Sequence, residues 1–331
     1  MFYREFKSPA IVRSGDHIIE DLDELLKSSH LYFPSKILVT QENLFQIFKH
    51  RLNVCNFYDM IFVKGGSTDE VPGLIEQMKR TPEALVVAFG GGSVLDLVKY
   101  CASKNDSPYI TVPSTLSNDA VYSCVSRLTN NGKKTSYGVQ PPMGIIVDFD
   151  IVRQSPKELL LAGVADIFSN FSACQDWLLS HNNTGETINE IAFMLAKQSA
   201  YPLYDYTEKD LTTNKFLFDL TNGIITSGLS MIISGNTRGT SGSEHLISHA
   251  IDEFYPNHST IHGIQVGWAH RYIQNHLRRD EYEANRINVF FDRIGLSDVI
   301  EQLIPWKDDD FNMLIPFAKQ IRNRYTIFDT L

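Results

Sequence analysis

The chain is poor in cysteine, has no excess of positive charge, and shows neither a repeat nor a low-complexity tract. Its four cysteines, Cys55, Cys101, Cys124 and Cys174, lie far apart and form no CxxC pair. That argues against a disulfide framework and reads as reduced, buried or half-buried thiols in a cytoplasmic protein. Lys and Arg number 30 against 39 Asp and Glu, a formal charge of -9. A nucleic-acid or anionic-membrane partner would favour a basic face, so neither is expected. An anionic small substrate would instead need a local cluster of Lys, Arg or helix N-termini. The stretch Met1 to Lys7 lacks the apolar core of a signal peptide, and no segment is expected to approach the roughly 20 apolar residues of a membrane span. The partner is then a small molecule, with room for a homo-oligomer.

What is present is the composition of an ordinary globular chain, 43% hydrophobic and 21% charged over 331 residues. That length exceeds one ordinary core and favours two domains. Phe6 to Gly15 reads as an entry strand at a sheet edge, because of Pro9. Asp16 to Ser29 reads as a helix, Lys36 to Thr40 as a buried strand, Glu42 to Leu52 as a helix and Tyr58 to Val63 as a strand. A helix from Thr68 to Lys79 and the apolar strand Ala84 to Phe89 follow. Strands near Ser107–Val112 and Gly144–Asp148 complete this half. Such alternation means βαβ units and a parallel sheet. Beyond about Arg153 only helices are expected. The organisation is an α/β domain over 1–153 and an all-α domain over 154–331.

Polar motifs punctuate this frame. Gly90-Gly91-Gly92-Ser93 joins a strand to a helix; the turn either is merely tight or lets a pyrophosphate approach free amides. Ser93 reads as the N-cap, with Asp96 at the reciprocal position and Lys99 on the same face. Pro113 to Ala120 gathers Thr115, Ser117 and Asp119 past a strand end, where open α/β sheets bind ligands, or simply makes a turn. Ser155-Pro156-Lys157-Glu158 reads as a capping box. Gly163 is expected to break the helix that follows, with Asp166 just beyond. Ser241 and Glu244 have capping-box spacing, which starts a helix at or just after Ser241. His245 and His249 then share one face at i and i+4, and His262 opens a later apolar segment. The three imidazoles are either packed core histidines or part of an open metal site.

Gly-Gly-Gly-Ser-x-x-Asp-x-x-Lys at 90–99, Gly-x-x-Asp at 163–166, Ser-Gly-Ser-Glu-His-x-x-x-His at 241–249 and His-Gly at 262–263 occur in that order. With this set the chain resembles the iron-containing alcohol dehydrogenase and dehydroquinate synthase superfamily. Ser117-Asn118-Asp119, Asp176-Trp177 and the run from Arg238 resemble its glycerol-1-phosphate dehydrogenase branch. The resemblance implies a Rossmann-like N-terminal domain, a helical C-terminal domain and an active site in the cleft between them. It implies Asp166, His245 and His262 as ligands of one divalent metal, zinc first, with nickel or iron as the other candidates. Gly90, Gly91, Gly92, Ser93, Asp96, Lys99, Thr115, Ser117 and Gln41 would serve NAD or NADP. Asp119 and His249 would be catalytic and touch the substrate, and Arg238, with Lys99, would take a substrate phosphate. Gln41 replaces the Asp that often holds the adenosine ribose, so a 2′-phosphate is not repelled. Asn170 stands where iron enzymes have a further His, which points to three ligands. Gly239 and Ala120 replace the usual Pro and Gly of that branch.

The expected activity is NAD(P)H-dependent reduction of a small ketone, dihydroxyacetone phosphate to sn-glycerol 1-phosphate or a close analogue. The alternatives are a dehydroquinate synthase-like lyase or cyclase that recycles bound NAD, an alcohol or polyol dehydrogenase of the same superfamily, and a binding protein on a decayed scaffold.

Overall fold

A computed structural model describes residues 8–331. The chain divides into two compact units, one ending at Ser155 and one beginning at Pro156. Arg153, near which the sequence suggests a boundary, is anchored in the first unit by ion pairs to Asp16 at 2.8 Å and Asp150 at 2.6 Å.

The strands of the first unit are β1 (Ile11–Gly15), β2 (Lys36–Thr40), β3 (Asp59–Phe62), β4 (Leu85–Gly90), β5 (Tyr109–Pro113), β6 (Val125–Asn130), β7 (Lys133–Gly138) and β8 (Gly144–Asp148). All but β6 and β7 form one sheet in the order β1-β8-β5-β4-β2-β3, and every pair in it is parallel. Ile37 to Val39 and Leu85 to Phe89 are buried at every position, as the strands of a parallel sheet covered on both faces must be. The connecting helices are α1 (Leu22–Ser28), α2 (Glu42–Leu52), α3 (Val71–Lys79), α4 (Gly92–Asn105) and α5 (Phe149–Val152). Of the expected entry strand, Phe6 and Lys7 lie outside the described residues; β1 is its remainder, at the sheet edge.

The strand order puts a switch point between β2 and β4. From β2 the chain crosses outward to the edge strand β3, whereas from β4 it crosses the other way to β5. Ligands of open α/β sheets bind beyond the carboxyl ends of such a strand pair. Gln41 follows β2 there, and Gly91 follows β4. Strands β6 and β7 form an antiparallel hairpin that the pattern of apolar runs does not suggest. Its signal was Asn131-Gly132, whose left-handed φ values of 49° and 79° suit a two-residue turn.

A buried ion pair fastens this unit. Arg51 donates two parallel bonds to Asp148, at 3.1 and 2.7 Å, and a third to Glu20 at 2.6 Å. Asp148 also accepts the amides of Ile19, Asp150 and Ile151. A buried carboxylate is tolerated because so many donors satisfy it. The thiols behave differently. Burial holds Cys55 up at about 11 and Cys101 at about 12, and raises Cys124; in the second unit burial raises Cys174 to about 12.

The second unit contains α6 (Lys157–Phe168), α7 (Asn170–Thr184), α8 (Glu190–Gln198), α9 (Asn214–Ser234), α10 (Ser243–Phe254), α11 (His262–Tyr272), α12 (Glu281–Ile294), α13 (Leu296–Leu303) and α14 (Phe311–Ile321). Among the described residues it has no strand. Three local expectations need correction. Pro156 is the N-cap residue of α6 without a side-chain cap, because the Ser155 hydroxyl donates to Val152 instead. Gly163 does not break α6: the helix runs through it and pauses only at Ser169, whose hydroxyl bonds back to the Asp166 carbonyl. The expectation of no long apolar segment also fails for α9, a 21-residue helix long and apolar enough to cross a membrane. Its Phe216, Leu217, Leu220, Ile224 and Met231 are instead spent on the core of the helical unit.

Helix α11 lies against α6 at glycine distance. A Cβ on Gly263 would stand 2.2 Å from the Ala162 carbonyl oxygen, and one on Gly267 would stand 2.7 Å from Ala165 Cβ. Only hydrogen at these two positions allows so close a crossing. It brings the first residue of α11, His262, to Asp166 on α6.

Candidate metal centre and nucleotide loop

Asp166, His245 and His262 come from three helices, α6, α10 and α11, and offer ligand atoms that all lie within 4.8 Å of one another. Asp166 Oδ1 is 3.4 Å from His245 Nε2 and 3.9 Å from His262 Nε2. Ligand atoms around a tetrahedral ion bound at ~2.0–2.1 Å stand about 3.4 Å apart, so the three fit one ion. Among the described residues no hydrogen bond reaches the buried Asp166 Oδ1, a costly state that a cation relieves.

The far side of each imidazole is held. His245 Nδ1 is 2.9 Å from Glu244 Oε1, and His262 Nδ1 is 2.9 Å from Ser248 Oγ. Ser248 Oγ also accepts Gln265 Nε2 at 2.9 Å, and its second lone pair can take the Nδ1–H of His262. With Nδ1 held as the donor and a cation bound, each ring would present a bare Nε2 toward Asp166, an arrangement characteristic of metal-binding histidines. With no cation between them, burial alone would lower the His245 pKa, but the carboxylates of Asp166 and Glu244 beside its ring prevail and raise it to about 9. Glu244 responds in the opposite sense: burial would raise it, and the contact with His245 lowers it. Glu244 was read from the sequence only as a capping-box partner and Ser248 was not singled out, although each sits beside a motif histidine.

Helix α10 starts at Ser243, one residue later than the capping-box spacing suggests, with Gly242 as its N-cap. Glu244 still reaches back, accepting the Gly242 amide at 2.6 Å, and Asp176 Oδ2 takes the Ser243 amide at 2.6 Å. Glycine is required at 242, because a Cβ would come within 2.6 Å of Asp176 Oδ2 and 2.8 Å of Glu244 Oε2. His249 lies one turn beyond His245, its ring 6.0 Å from that of His245 and 5.8 Å from that of His262. The Asn170 amide nitrogen is occupied by two serines, donating to Ser199 and Ser227.

At the switch point of the first unit, α4 begins at Gly92 with Gly91 as N-cap. Ser93 is therefore inside the first turn and exposed, not the cap. The amides of Gly92 and Ser93 have no protein acceptor among the described residues, which suits an anionic ligand at the helix start. Crowding keeps this loop glycine-rich. A Cβ at Gly92 would press on the Asn118 amide at 3.1 Å, and one at Gly65, where φ is +84°, on the Ser93 backbone at 3.1 Å. Thr115 Oγ1 is buried there without a partner, an unmet hydroxyl beside the glycines. The Gln41 amide donates to the Lys64 carbonyl at 2.6 Å, and Ser117 and Asp119 are half-buried beyond β5.

Two expected ligand-binding cations are already committed. Lys99 is fully buried, and its ammonium meets Asp96 at 3.0 Å, Ser123 at 2.8 Å and the Val125 carbonyl at 2.7 Å. These three oxygens occupy the ammonium, so Lys99 ties α4 to β6. Asp96 is occupied likewise, taking the Arg127 amide at 3.1 Å. Arg238 bonds both carboxylate oxygens of Glu186, the Ser180 hydroxyl and the Tyr325 carbonyl. Its guanidinium is an internal clasp and is not available to a substrate phosphate.

A family model described as iron-containing alcohol dehydrogenase matches residues 13–156. The glycerol-1-phosphate dehydrogenase of Pyrococcus horikoshii, named for NAD(P)+, is 31% identical over 275 residues, which cover 81% of this chain and 78% of that protein. Its namesake from Methanococcus aeolicus is 35% identical over 258 residues, covering 73% and 72% of the two chains. Among solved structures, glycerol dehydrogenase from Schizosaccharomyces pombe shares the fold with a TM-score of 0.77 at 19% identity, over 98% of this chain and 85% of that one.

Proposed function

The chain belongs to the glycerol-1-phosphate dehydrogenase family of iron-containing alcohol dehydrogenases, and from that premise we propose that it reduces dihydroxyacetone phosphate, or a close phosphorylated ketone, to sn-glycerol 1-phosphate with NADH or NADPH. The observation that carries the reading is the meeting of Asp166, His245 and His262 around one point. One carboxylate and two imidazoles leave a coordination position open, and zinc suits that donor set, with nickel or iron as alternatives. A divalent ion held there supplies Lewis-acid polarisation of a carbonyl and stabilises negative charge developing on its oxygen.

The chain's own groups do the rest. The amides of Gly92 and Ser93, with Gly90 and Gly91 giving close approach, hold the coenzyme pyrophosphate. Thr115 and Ser117 offer hydroxyls to the same coenzyme. Gln41, neutral at the end of β2, accepts either a ribose hydroxyl or a 2′-phosphate. His249 shares a helix face with His245 and is the group through which the product hydroxyl gains its proton from solvent. Asp119 orients the substrate hydroxyl.

The test is NADH and NADPH oxidation with dihydroxyacetone phosphate, dihydroxyacetone and simple aldehydes, with zinc, nickel or iron supplied. His262→Ala is expected to lose the bound metal and turnover while coenzyme affinity stays near that of the parent. Full activity of that variant after metal stripping would overturn the metal assignment.

A further inference from the structure

Two arginines near the C-terminus have no carboxylate partner. Arg322 Nη1 donates to Thr237 Oγ1 at 3.2 Å, and Arg324 Nη2 donates to the same oxygen at 2.9 Å. Arg324 Nη1 also donates to the carbonyls of Thr237 and Ser241. Among the described residues neither guanidinium takes part in an ion pair. The third arginine of the group, Arg238, has consumed the adjacent carboxylate, Glu186. Three guanidiniums thus share one directly paired acid.

The crowding is electrostatically costly. Burial lowers Arg322; burial, then Arg322 and Arg238, lower Arg324 to about 9, against some relief from Glu244 and Glu186. An arginine does not shed its proton in a folded protein, so an anion is the available remedy. Thr237 adds a third donor. Its oxygen accepts from both arginines, which uses both lone pairs and leaves the O–H to donate outward. A hydroxyl flanked by two guanidiniums presents the fork of donors that a phosphate dianion accepts. The loop it sits on, Thr237 to Ser241, leads directly into α10, which carries His245 and His249.

We propose that Thr237, Arg322 and Arg324 form the subsite that receives the phosphate of the substrate, the role for which Arg238 and Lys99 are unavailable. This rests on the reading of the substrate as a phosphorylated ketone. The subsite selects a phosphomonoester over the corresponding free polyol and does not contribute to metal binding.

The experiment compares kcat/KM for dihydroxyacetone phosphate and dihydroxyacetone, inhibition by inorganic phosphate, and metal content, in the parent, Arg322→Gln and Thr237→Val. Arg322→Gln keeps the loop bonds of Arg324, so it guards against a merely unfolded variant. In each variant the preference for the phosphate ester is expected to fall about tenfold or more, with KM raised, phosphate inhibition weakened in parallel and metal retained. A parent enzyme with no preference for the ester would overturn the substrate reading itself. A parent that prefers the ester, with variants that keep the preference, would overturn the subsite alone. Weaker inhibition by phosphate with unchanged KM for the ester would also overturn it, by marking a site for free phosphate.

Discussion

At the scale of single residues, the centre depends on groups that touch no ligand. Glu244 is fully buried, and one of its oxygens has no hydrogen-bond partner among the described residues. Its other oxygen both caps α10 through Gly242 and turns His245 so that Nε2 faces Asp166. Glu244→Gln is expected to weaken metal affinity by about 10–100-fold, as loss of a carboxylate behind a ligating histidine does. Competition against a chromogenic chelator measures this directly, and an unchanged affinity would show that the contact merely fills space. The i, i+4 spacing of His245 and His249 was legible as one helix face, but it left core packing and metal binding both open. The grouping of His262 with His245 and Asp166 came from the family resemblance. The supports of the histidines were less legible: Ser248 meets His262, which is 14 residues further along. Lys99 and Arg238, the expected phosphate cations, differ in this respect: Lys99 is met by Asp96, only three residues away on the same helix face. Arg238 is neutralised by Glu186, a pairing across 52 residues that no local pattern announces.

At the scale of elements, backbone proximity does what side-chain chemistry cannot. The Gly263 site admits no methyl group, since the Ala162 carbonyl occupies the space. Gly263→Ala must push α11 away from α6, and that separates His262 from Asp166. The expected outcome is a stability loss of about 1–3 kcal/mol, with weaker metal binding beyond what unfolding accounts for. Chemical denaturation with and without metal tests both parts; a variant of parental stability and affinity would show that the crossing can relax. The His-Gly pair at 262–263 was visible in the sequence, but the reason for its glycine was not, because the reason is a neighbouring helix. Parallel strands and the order of helices were readable from apolar runs and their lengths. The glycine at 163 shows the limit: taken alone it suggests a helix break, yet α6 passes through it.

At the scale of the whole molecule, the two units should answer to different ligands. All three proposed metal ligands belong to the segment from Pro156 onward, and the glycine loop belongs to the segment before it. A ligand that binds only folded protein stabilises it by about 2.7 kcal/mol at a hundred times its Kd. Chelation is therefore expected to loosen the helical unit and leave the α/β unit in place, whereas added coenzyme should protect the latter. Alkylation followed by peptide mapping separates the two: Cys174 should become reactive on chelation, and Cys55 and Cys101 should not. Uniform reactivity of all three would mean that the units open together.

The cysteines make that measurement possible without engineering. Each thiol is held protonated well above neutrality by its buried surroundings, so an electrophile finds little thiolate until the local fold gives way. The native molecule should thus resist peroxide at neutral pH, and damage by an oxidant would keep a record of how often, and in which unit, the protein breathes.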